Sequence, residues 1–341
     1  MSEEFHIPLE LGKTIRTLLY SQFCNTTPYP TQSFANQTII VTGSNIGLGL
    51  EAARHFYRLN CTKLILAVRT ISKGQTAKED ILQSVKRRTD ADAIEVWPLD
   101  LSNTDSTLSF ANRVKKDLPR LDVLVENAGL GAQKWSVVEG FEQSIQVNVI
   151  NTLLLALSLL PKLKDTASKY PDSSPHLVLV SSDALRMTKF QQINDPDIYQ
   201  SLNTEKDFNG LEWYCISKLL DVLFVRELVD RLDFGRVVID MVNPGMSRTA
   251  FTRDASAPAR IADGIMRRIM GRSSEVGSRA LVLGACAGSD SHGHFMNDGQ
   301  NQWVAKWVDE DVGKRAQRKV FEQTMKVLGM RSPGVGKVVG L

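Results

Sequence analysis

The stretch Thr42-Gly43-Ser44-Asn45-Ile46-Gly47-Leu48-Gly49 decides the reading of this chain. It follows a short β-branched run, Thr38 to Val41, and opens a segment of helical character, Gly49 to Leu59. Glycines at such a place permit a tight turn and a close backbone approach. The helix start offers free N–H groups and the positive end of a dipole. Strand, glycine turn and helix in that order predict a cradle for a pyrophosphate, and so a bound dinucleotide. A glycine-rich turn without a ligand is the plain alternative.

Further short apolar runs lie at Leu64 to Val68, Ile94 to Trp97, Val123 to Val125, Leu177 to Val180, Val237 to Val242 and Gly293 to Met296. Segments of helical character separate them, among them Ser72 to Arg88, Phe141 to Leu160 and Leu211 to Leu232. Short continuous apolar strands alternating with helices predict a parallel sheet covered on both faces. The predicted fold class is α/β: a single doubly wound Rossmann-type domain with a seven-stranded parallel sheet. It spans residues 36–305. Residues 1–35 form an N-terminal extension, with Leu9, Leu11, Ile15, Leu18 and Leu19 near helical spacing and Pro28 and Pro30 after them. That helix is expected to pack back on its domain, contact with a membrane surface being the alternative. Residues 306–341 are read as a C-terminal helix and tail.

Composition narrows the function classes. The 341 residues carry 43% hydrophobic side chains and a formal charge of only +3, so a sizeable core is available and nucleic acid is not indicated as a partner. Four cysteines without a close pair suggest neither a disulfide framework nor a zinc site, and the metal expectation is none. His292 and His294 alternate beside the last apolar run, but a third ligand is missing, so a structural or exposed pair is expected. No run approaches the ~18 consecutive apolar residues of a membrane span, and the N-terminus lacks a signal core. The expected location is cytoplasmic.

The second strand ends at Val68-Arg69, twenty residues past Gly49. An acidic residue there would bind a ribose 2′-hydroxyl, whereas a basic one suits a 2′-phosphate. Arg69, with Lys73 one helical turn further on, favours NADP(H) over NAD. A solvated strand-end charge is the plain alternative for Arg69. In Tyr214-Cys215-Ile216-Ser217-Lys218 the tyrosine and lysine are four apart and share a helix face. A lysine cation beside a phenol favours the phenolate, which suits the pair to proton exchange. Ser181-Ser182 closes the fifth strand, and parallel sheets place ligand sites at such carboxyl ends.

The Gly-x-x-x-Gly-x-Gly spacing, the Tyr-x-x-x-Lys pair and the strand-end serines together resemble the short-chain dehydrogenase/reductase family, over about residues 36–300. The Ala67-Val68-Arg69 strand end and the long Ser182–Tyr214 interval are most similar to its retinol-dehydrogenase-like and fungal secondary-metabolism branch. The resemblance implies catalytic roles for Ser182, Tyr214, Lys218 and Asn148. Ser182 would bond the substrate oxygen and orient Tyr214, with Ser181 the runner-up. Lys218 would hold the cofactor ribose, and Asn148 would anchor a proton-relay water to it. The residue three places on, usually small, is Asn151. Cofactor contacts are implied for Gly43, Ser44, Asn45, Ile46, Gly47, Leu48, Gly49, Arg69, Lys73, Asp100, Leu101, Asn127, Ala128, Gly129, Tyr214, Lys218, Pro244, Gly245, Ser247 and Thr249. Glu126 stands where many members have another Asn.

The expected activity is that of an NADP(H)-dependent ketone reductase or alcohol dehydrogenase acting on a sizeable hydrophobic metabolite. The alternatives are a redox-neutral cyclase or isomerase on the same scaffold and a non-catalytic NADP-binding protein. The substrate pocket is expected between residues 130–139, 183–209 and 246–275. Phe251, Ile261, Ile265, Met266, Ile269 and Met270 in the last segment suggest a lid, with ordinary packing of a short helix the alternative. The expected partner is a hydrophobic small molecule, with a homodimer the assembly to test.

Overall fold

The structure, a computed structural model, describes residues 5–247 and 271–340. Seven strands run parallel in one sheet: β1 (Thr38–Thr42), β2 (Lys63–Val68), β3 (Ile94–Pro98), β4 (Val123–Glu126), β7 (His176–Val180), β8 (Val238–Asn243) and β9 (Phe295–Asn297). Between β4 and β7 a small hairpin pairs β5 (Val137–Val138) with β6 (Phe141–Glu142). An eighth strand, β10 (Gln300–Gln302), runs antiparallel to β9, so the main sheet reads β10-β9-β8-β7-β4-β1-β2-β3. All five residues of β1 and all six of β8 are buried, as helices on both faces require.

The expected seven parallel strands are all present, and β10 is an addition to them. Gln300-Asn301-Gln302 is polar because it lies at the sheet edge, so no apolar run announces it. Its turn is legible only afterwards: Asp298 and Gly299 both take positive φ (53° and 79°), the requirement of a tight two-residue hairpin. The β5–β6 hairpin turns in the same manner at Glu139 and Gly140.

The long helices are α1 (Leu11–Cys24), α2 (Gly47–Arg58), α3 (Ile71–Ser84), α4 (Thr104–Asp117), α5 (Gln143–Lys169), α6 (Gly210–Arg231), α7 (Ser274–Gly284) and α8 (Asp311–Arg331). The helix expected from Phe141 to Leu160 is shifted: Phe141 pairs with Val138 in the hairpin, and α5 runs on through Pro161. Pro161 removes one backbone bond, but it sits on the exposed side of the helix, while Leu153 to Leu157, Leu159, Leu160 and Leu163 are buried and hold the helix to the domain. This helix is long and apolar enough to cross a membrane by length and composition, yet nearly all of that stretch lies inside the domain.

Helix α1 packs back on the domain with its polar side inward. Thr14 and Ser21 are buried, whereas Leu11, Ile15, Leu19 and Phe23, four apart along one face, are exposed. The reason is what α1 meets. Arg272 and Asp298 form a buried ion pair at 2.6 Å. Ser21 Oγ donates to Asp298 at 2.6 Å, Asn25 and Thr27 donate to the same carboxylate, and the backbone carbonyls of Ser21 and Asn25 accept from Arg272. A buried charge pair needs polar partners, and Ser21 of α1 with Asn25 and Thr27 just after it supply them.

Candidate active site

The parallel strands deliver their carboxyl ends to one edge of the sheet, where Gly43, Asn127, Ser182 and Pro244 follow β1, β4, β7 and β8. The strand order reverses at β1 and β4, the place where open α/β sheets form a ligand crevice.

On the β1 side the loop is built for close approach. Gly43 and Gly47 take φ of 64° and 63°, which disfavours any other residue. A Cβ on Gly49 would sit 2.5 Å from Asn127 Nδ2 and 2.6 Å from the Gly43 carbonyl. The residue before α2, Ile46, offers no side-chain cap, so the first N–H groups of the helix point to the crevice unclaimed by a side chain. Ser44 Oγ is buried without a hydrogen-bond partner among the described residues. These features fit a phosphate-bearing cofactor.

The turn after β4 is sewn to this loop. Asn127 Nδ2 donates to the Thr42 carbonyl at 2.9 Å, and Thr42 Oγ1 accepts from the N–H groups of Asn127 and Ala128 at 3.0 and 2.9 Å. Arg69 and Lys73 are exposed, at the end of β2 and in the first turn of α3, and neither makes a side-chain hydrogen bond or ion pair among the described residues. Asp100 accepts from Ser102 N and Oγ, which holds the turn after β3, and the Leu101 carbonyl accepts from Asn151 Nδ2 at 2.8 Å. Asn151 thus ties α5 to that turn where the family pattern has a small residue.

On the β7 side, Ser181 and Ser182 are distinguished by their surroundings. The Ser181 N–H donates to the Val242 carbonyl, and its hydroxyl is buried. Ser182 is half-buried, and its hydroxyl caps the turn Asp183–Met187 by accepting from Ala184 N. That turn packs on α6, which carries Tyr214 and Lys218. Asn209 caps α6, its side chain accepting from the N–H groups of Leu211 and Glu212. Lys218 Nζ donates to the Val180 carbonyl at 3.0 Å and stands 3.4 Å from Asp221 Oδ2. The ammonium is thereby pinned two residues from Ser182, one turn along α6 from Tyr214.

Asn148 lies in a π-helical turn, Gln146–Asn151, of the kind that recurs at functional sites. Its side chain exchanges two hydrogen bonds with the backbone of Leu130 and donates to Ser217 Oγ at 3.0 Å. Asn148 therefore reaches the Tyr-x-x-x-Lys segment through Ser217. The structure gives it no direct bond to Lys218.

Pro244 and Gly245 follow β8, with Gly245 at φ 70° and its N–H on Asn243 Oδ1. Ser247 is buried and forms a bridge with Arg272. Thr249 and the apolar positions of the expected lid, Phe251 to Met270, lie outside the described residues. A cavity of about 770 Å³ flanks the N-terminal end of α6, lined by Met187, Lys189, Gln192, Asp207, Glu212 and Trp213 among others. Leu9 also lines it, so the N-terminal extension borders the cleft, which the sequence does not announce.

Two buried carboxyls lie in this region, Glu126, read from sequence only as a departure from the family turn, and Asp221, which the sequence reading missed. Glu126 ends β4, and burial pushes it up to about 8. Asp221 sits one turn past Lys218, and burial pushes it up to about 7 against the pull of the ammonium. Burial also pushes the Cys215 thiol up to about 12, which leaves it inert beside the tyrosine. His292 has a structural role: its Nδ1 accepts from the Ile239 N–H.

Comparison with known proteins agrees with this geometry. A family model described as short chain dehydrogenase matches residues 37–194. The chain is 40% identical over 323 residues to the short chain dehydrogenase/reductase dmxR8 of Cryptosporiopsis sp., covering 93% of this chain and 98% of that one. It is 41% identical to the short chain dehydrogenase atnD of Emericella nidulans over 80% of this chain and 87% of that one. Among solved structures, a short-chain dehydrogenase from Brucella melitensis aligns with a TM-score of 0.56 at 18% identity, over 79% of this chain and 98% of that one. A Shigella flexneri short chain dehydrogenase complexed with NADP aligns with a TM-score of 0.53 at 21% identity, over 80% of this chain and all of that one. Sheet order, glycine loop and full-length relatives lead to one assignment: the chain belongs to the short-chain dehydrogenase/reductase family and is an oxidoreductase.

Proposed function

We propose that this chain is an NADP(H)-dependent ketone reductase or alcohol dehydrogenase that acts on a sizeable hydrophobic metabolite, in secondary-metabolite biosynthesis. The observation that carries the proposal is Lys218 held at the end of the strand bearing Ser182, on the helix bearing Tyr214. The exposed pair Arg69 and Lys73 supports the 2′-phosphate form of the cofactor. Likeness to fungal relatives supports the biosynthetic setting.

The glycine loop would hold the pyrophosphate through backbone N–H groups, and Arg69 would hold the 2′-phosphate. When bound, the cofactor supplies the hydride. Tyr214 gives its phenolic proton to the substrate oxygen during reduction and takes one back during oxidation. The Ser182 hydroxyl donates to the same oxygen. Lys218 is a fixed positive charge that favours the phenolate form of Tyr214 as the proton leaves. Asn148, through Ser217 and Leu130, keeps α5 and the turn after β4 in register with α6.

Tyr214→Phe tests the assignment, because only a hydroxyl is removed. Following reduced nicotinamide with a panel of ketones, turnover should fall by roughly 10²–10⁴, the worth of positioned proton transfer, or about 3–5 kcal/mol. Melting temperature and NADPH affinity should hold. A variant that folds, binds NADPH and reduces the ketone at the parent rate would remove Tyr214 as the acid, whereas a parent protein that binds NADPH but reduces no ketone in the panel would favour a redox-neutral reaction.

A further inference from the structure

Glu126 ends β4 opposite Leu179 of β7, next to the Val180 carbonyl that holds Lys218 Nζ, and Asp221, 95 residues further along the chain, holds the same ammonium from α6. Both are almost fully buried, at 3% and 2% exposure. Glu126 Oε2 is 3.4 Å from Thr42 Oγ1, whose lone pairs already serve Asn127 and Ala128, so the Thr42 hydroxyl proton is directed to Glu126. Asp221 Oδ2 is 3.4 Å from Lys218 Nζ. One oxygen of each carboxyl, Glu126 Oε1 and Asp221 Oδ1, has no hydrogen-bond partner among the described residues. Burial raises both carboxyls, and Glu126 is raised further by the charge of Asp221 and lowered by that of Lys218.

The charge count is constrained. One ammonium cannot compensate two buried carboxylates, and two like charges at one site hold a proton between them. Asp221, which touches the ammonium, is the better place for the negative charge, and Glu126, which accepts only from a hydroxyl, is the better place for the proton. Tyr199 also feels the charge of Asp221, but its hydroxyl is committed to Thr324 Oγ1 at 2.6 Å. Lys218 is thus the cation that faces the pair, with Tyr199 and, one turn along α6, Tyr214 the other ionisable groups near it.

We infer that Glu126 and Asp221 are positioning residues that share a single proton, hold Lys218 against the Val180 carbonyl and fix the pH range over which Tyr214 works. The inference rests on the reading of Tyr214 as proton donor with Lys218 as its neighbour. Sharing has a signature that separate roles lack. If either carboxyl is replaced by its amide, the other takes the remaining negative charge, so the site keeps its net charge until both are replaced.

The test uses Glu126→Gln, Asp221→Asn and the double variant in the full chain, with two readouts. The first is the alkaline limb of kcat/KM for ketone reduction, which reports loss of the Tyr214 proton. Each single variant should leave the limb within about 0.3 unit, and the double variant should move it down by about one unit, since losing the negative charge eases phenolate formation. The second is the infrared stretch of protonated carboxyls at neutral pH, which needs no turnover. Each single variant should lose the intensity of one protonated carboxyl, and the double variant should lose no more. Infrared losses that add, or an Asp221→Asn protein that keeps the full band, would overturn the sharing. So would a limb that moves as far in Asp221→Asn as in the double variant, or that moves in none of the three. Should the double variant fail to fold, the band in Asp221→Asn decides alone, because its loss there means that Glu126 has ionised. If Tyr214 is not the acid, the Tyr214→Phe experiment fails while the infrared result stands by itself.

Discussion

The two halves of the sheet hold their carboxyl ends in different ways. From β1 to β4 the loops are fastened without buried ion pairs among the described residues: Thr42 and Asn127 stitch the turns after β1 and β4, and Asp100 holds the turn after β3 by accepting from Ser102. From β7 to β9 they are fastened by buried charges. Asp183 pairs with Arg186 and accepts from Asn243, while Arg272 pairs with Asp298 among polar groups of Ser21, Asn25 and Thr27. The difference follows from what each half does. A phosphate cradle needs its N–H groups free and its loop short, so it is made of glycine. Loops that shape a substrate cleft are longer and come from distant parts of the chain, so side chains must tie them down.

The largest expected effect breaks the charged half. Arg272→Met would leave the Asp298 carboxylate buried with only Ser21, Asn25 and Thr27 as partners. Loss of one member of a buried pair costs about 3–5 kcal/mol, which for a chain of this length is about 4–7 °C of melting temperature. NADPH affinity, set on the other half, should change less than about twofold. Adding Asp298→Asn should recover part of the loss. A melting temperature equal to that of the parent would show that the seam contributes nothing.

Arg69→Asp tests the opposite half and should show the opposite pattern. Arg69 is exposed and unpaired among the described residues, so thermal stability should hold. A charge-assisted bond to phosphate is worth about 1.5–3 kcal/mol, so the NADPH/NADH preference should fall by about 10–100-fold, and less at high salt. The measurement is both dissociation constants at two salt concentrations, and an unchanged ratio would refute the 2′-phosphate assignment.

The smallest effect lies where the halves join. His55 on α2 accepts from Arg58 Nε through Nδ1 and stands 3.1 Å from Glu275 of α7. Burial, helped by the Arg58 charge, lowers it to about 4. The unfolded chain therefore binds a proton, near pH 6.5, that the folded chain refuses until about pH 4. This contribution to stability is present above pH 6.5 and is lost on acidification through that window. At pH 6 the loss is about 1 kcal/mol. His55→Gln should flatten this part of the stability–pH curve, and a curve parallel to that of the parent would mean that His55 titrates normally.

The same contrast explains what could be read from sequence. Glycines, a serine pair and Tyr-x-x-x-Lys are local patterns, and each sits at a strand end that its own apolar run predicts. The polar strand Gln300–Gln302 carries no such pattern, because an edge strand needs no apolar face. The inward side of α1 is misleading for a related reason. Leucine spacing predicts which side of a helix is apolar, but here a charged seam chose the side with Thr14 and Ser21. Glu126 reads as a departure from the family turn until the fold brings Asp221 to it. Partners far apart in sequence leave no spacing to recognise.

Helix α5 carries a consequence for how the chain is made rather than how it works. Its apolar residues face every direction because the finished domain surrounds it. On the nascent chain, before the strands on either side of it have paired, the same segment is a stretch that a translocation channel or a lipid surface would accept. Safe biogenesis then depends on β7 and β8, synthesised after it, arriving soon enough to close the sheet. Changes that slow that closure would lower the yield of folded protein while leaving the native state as stable as before.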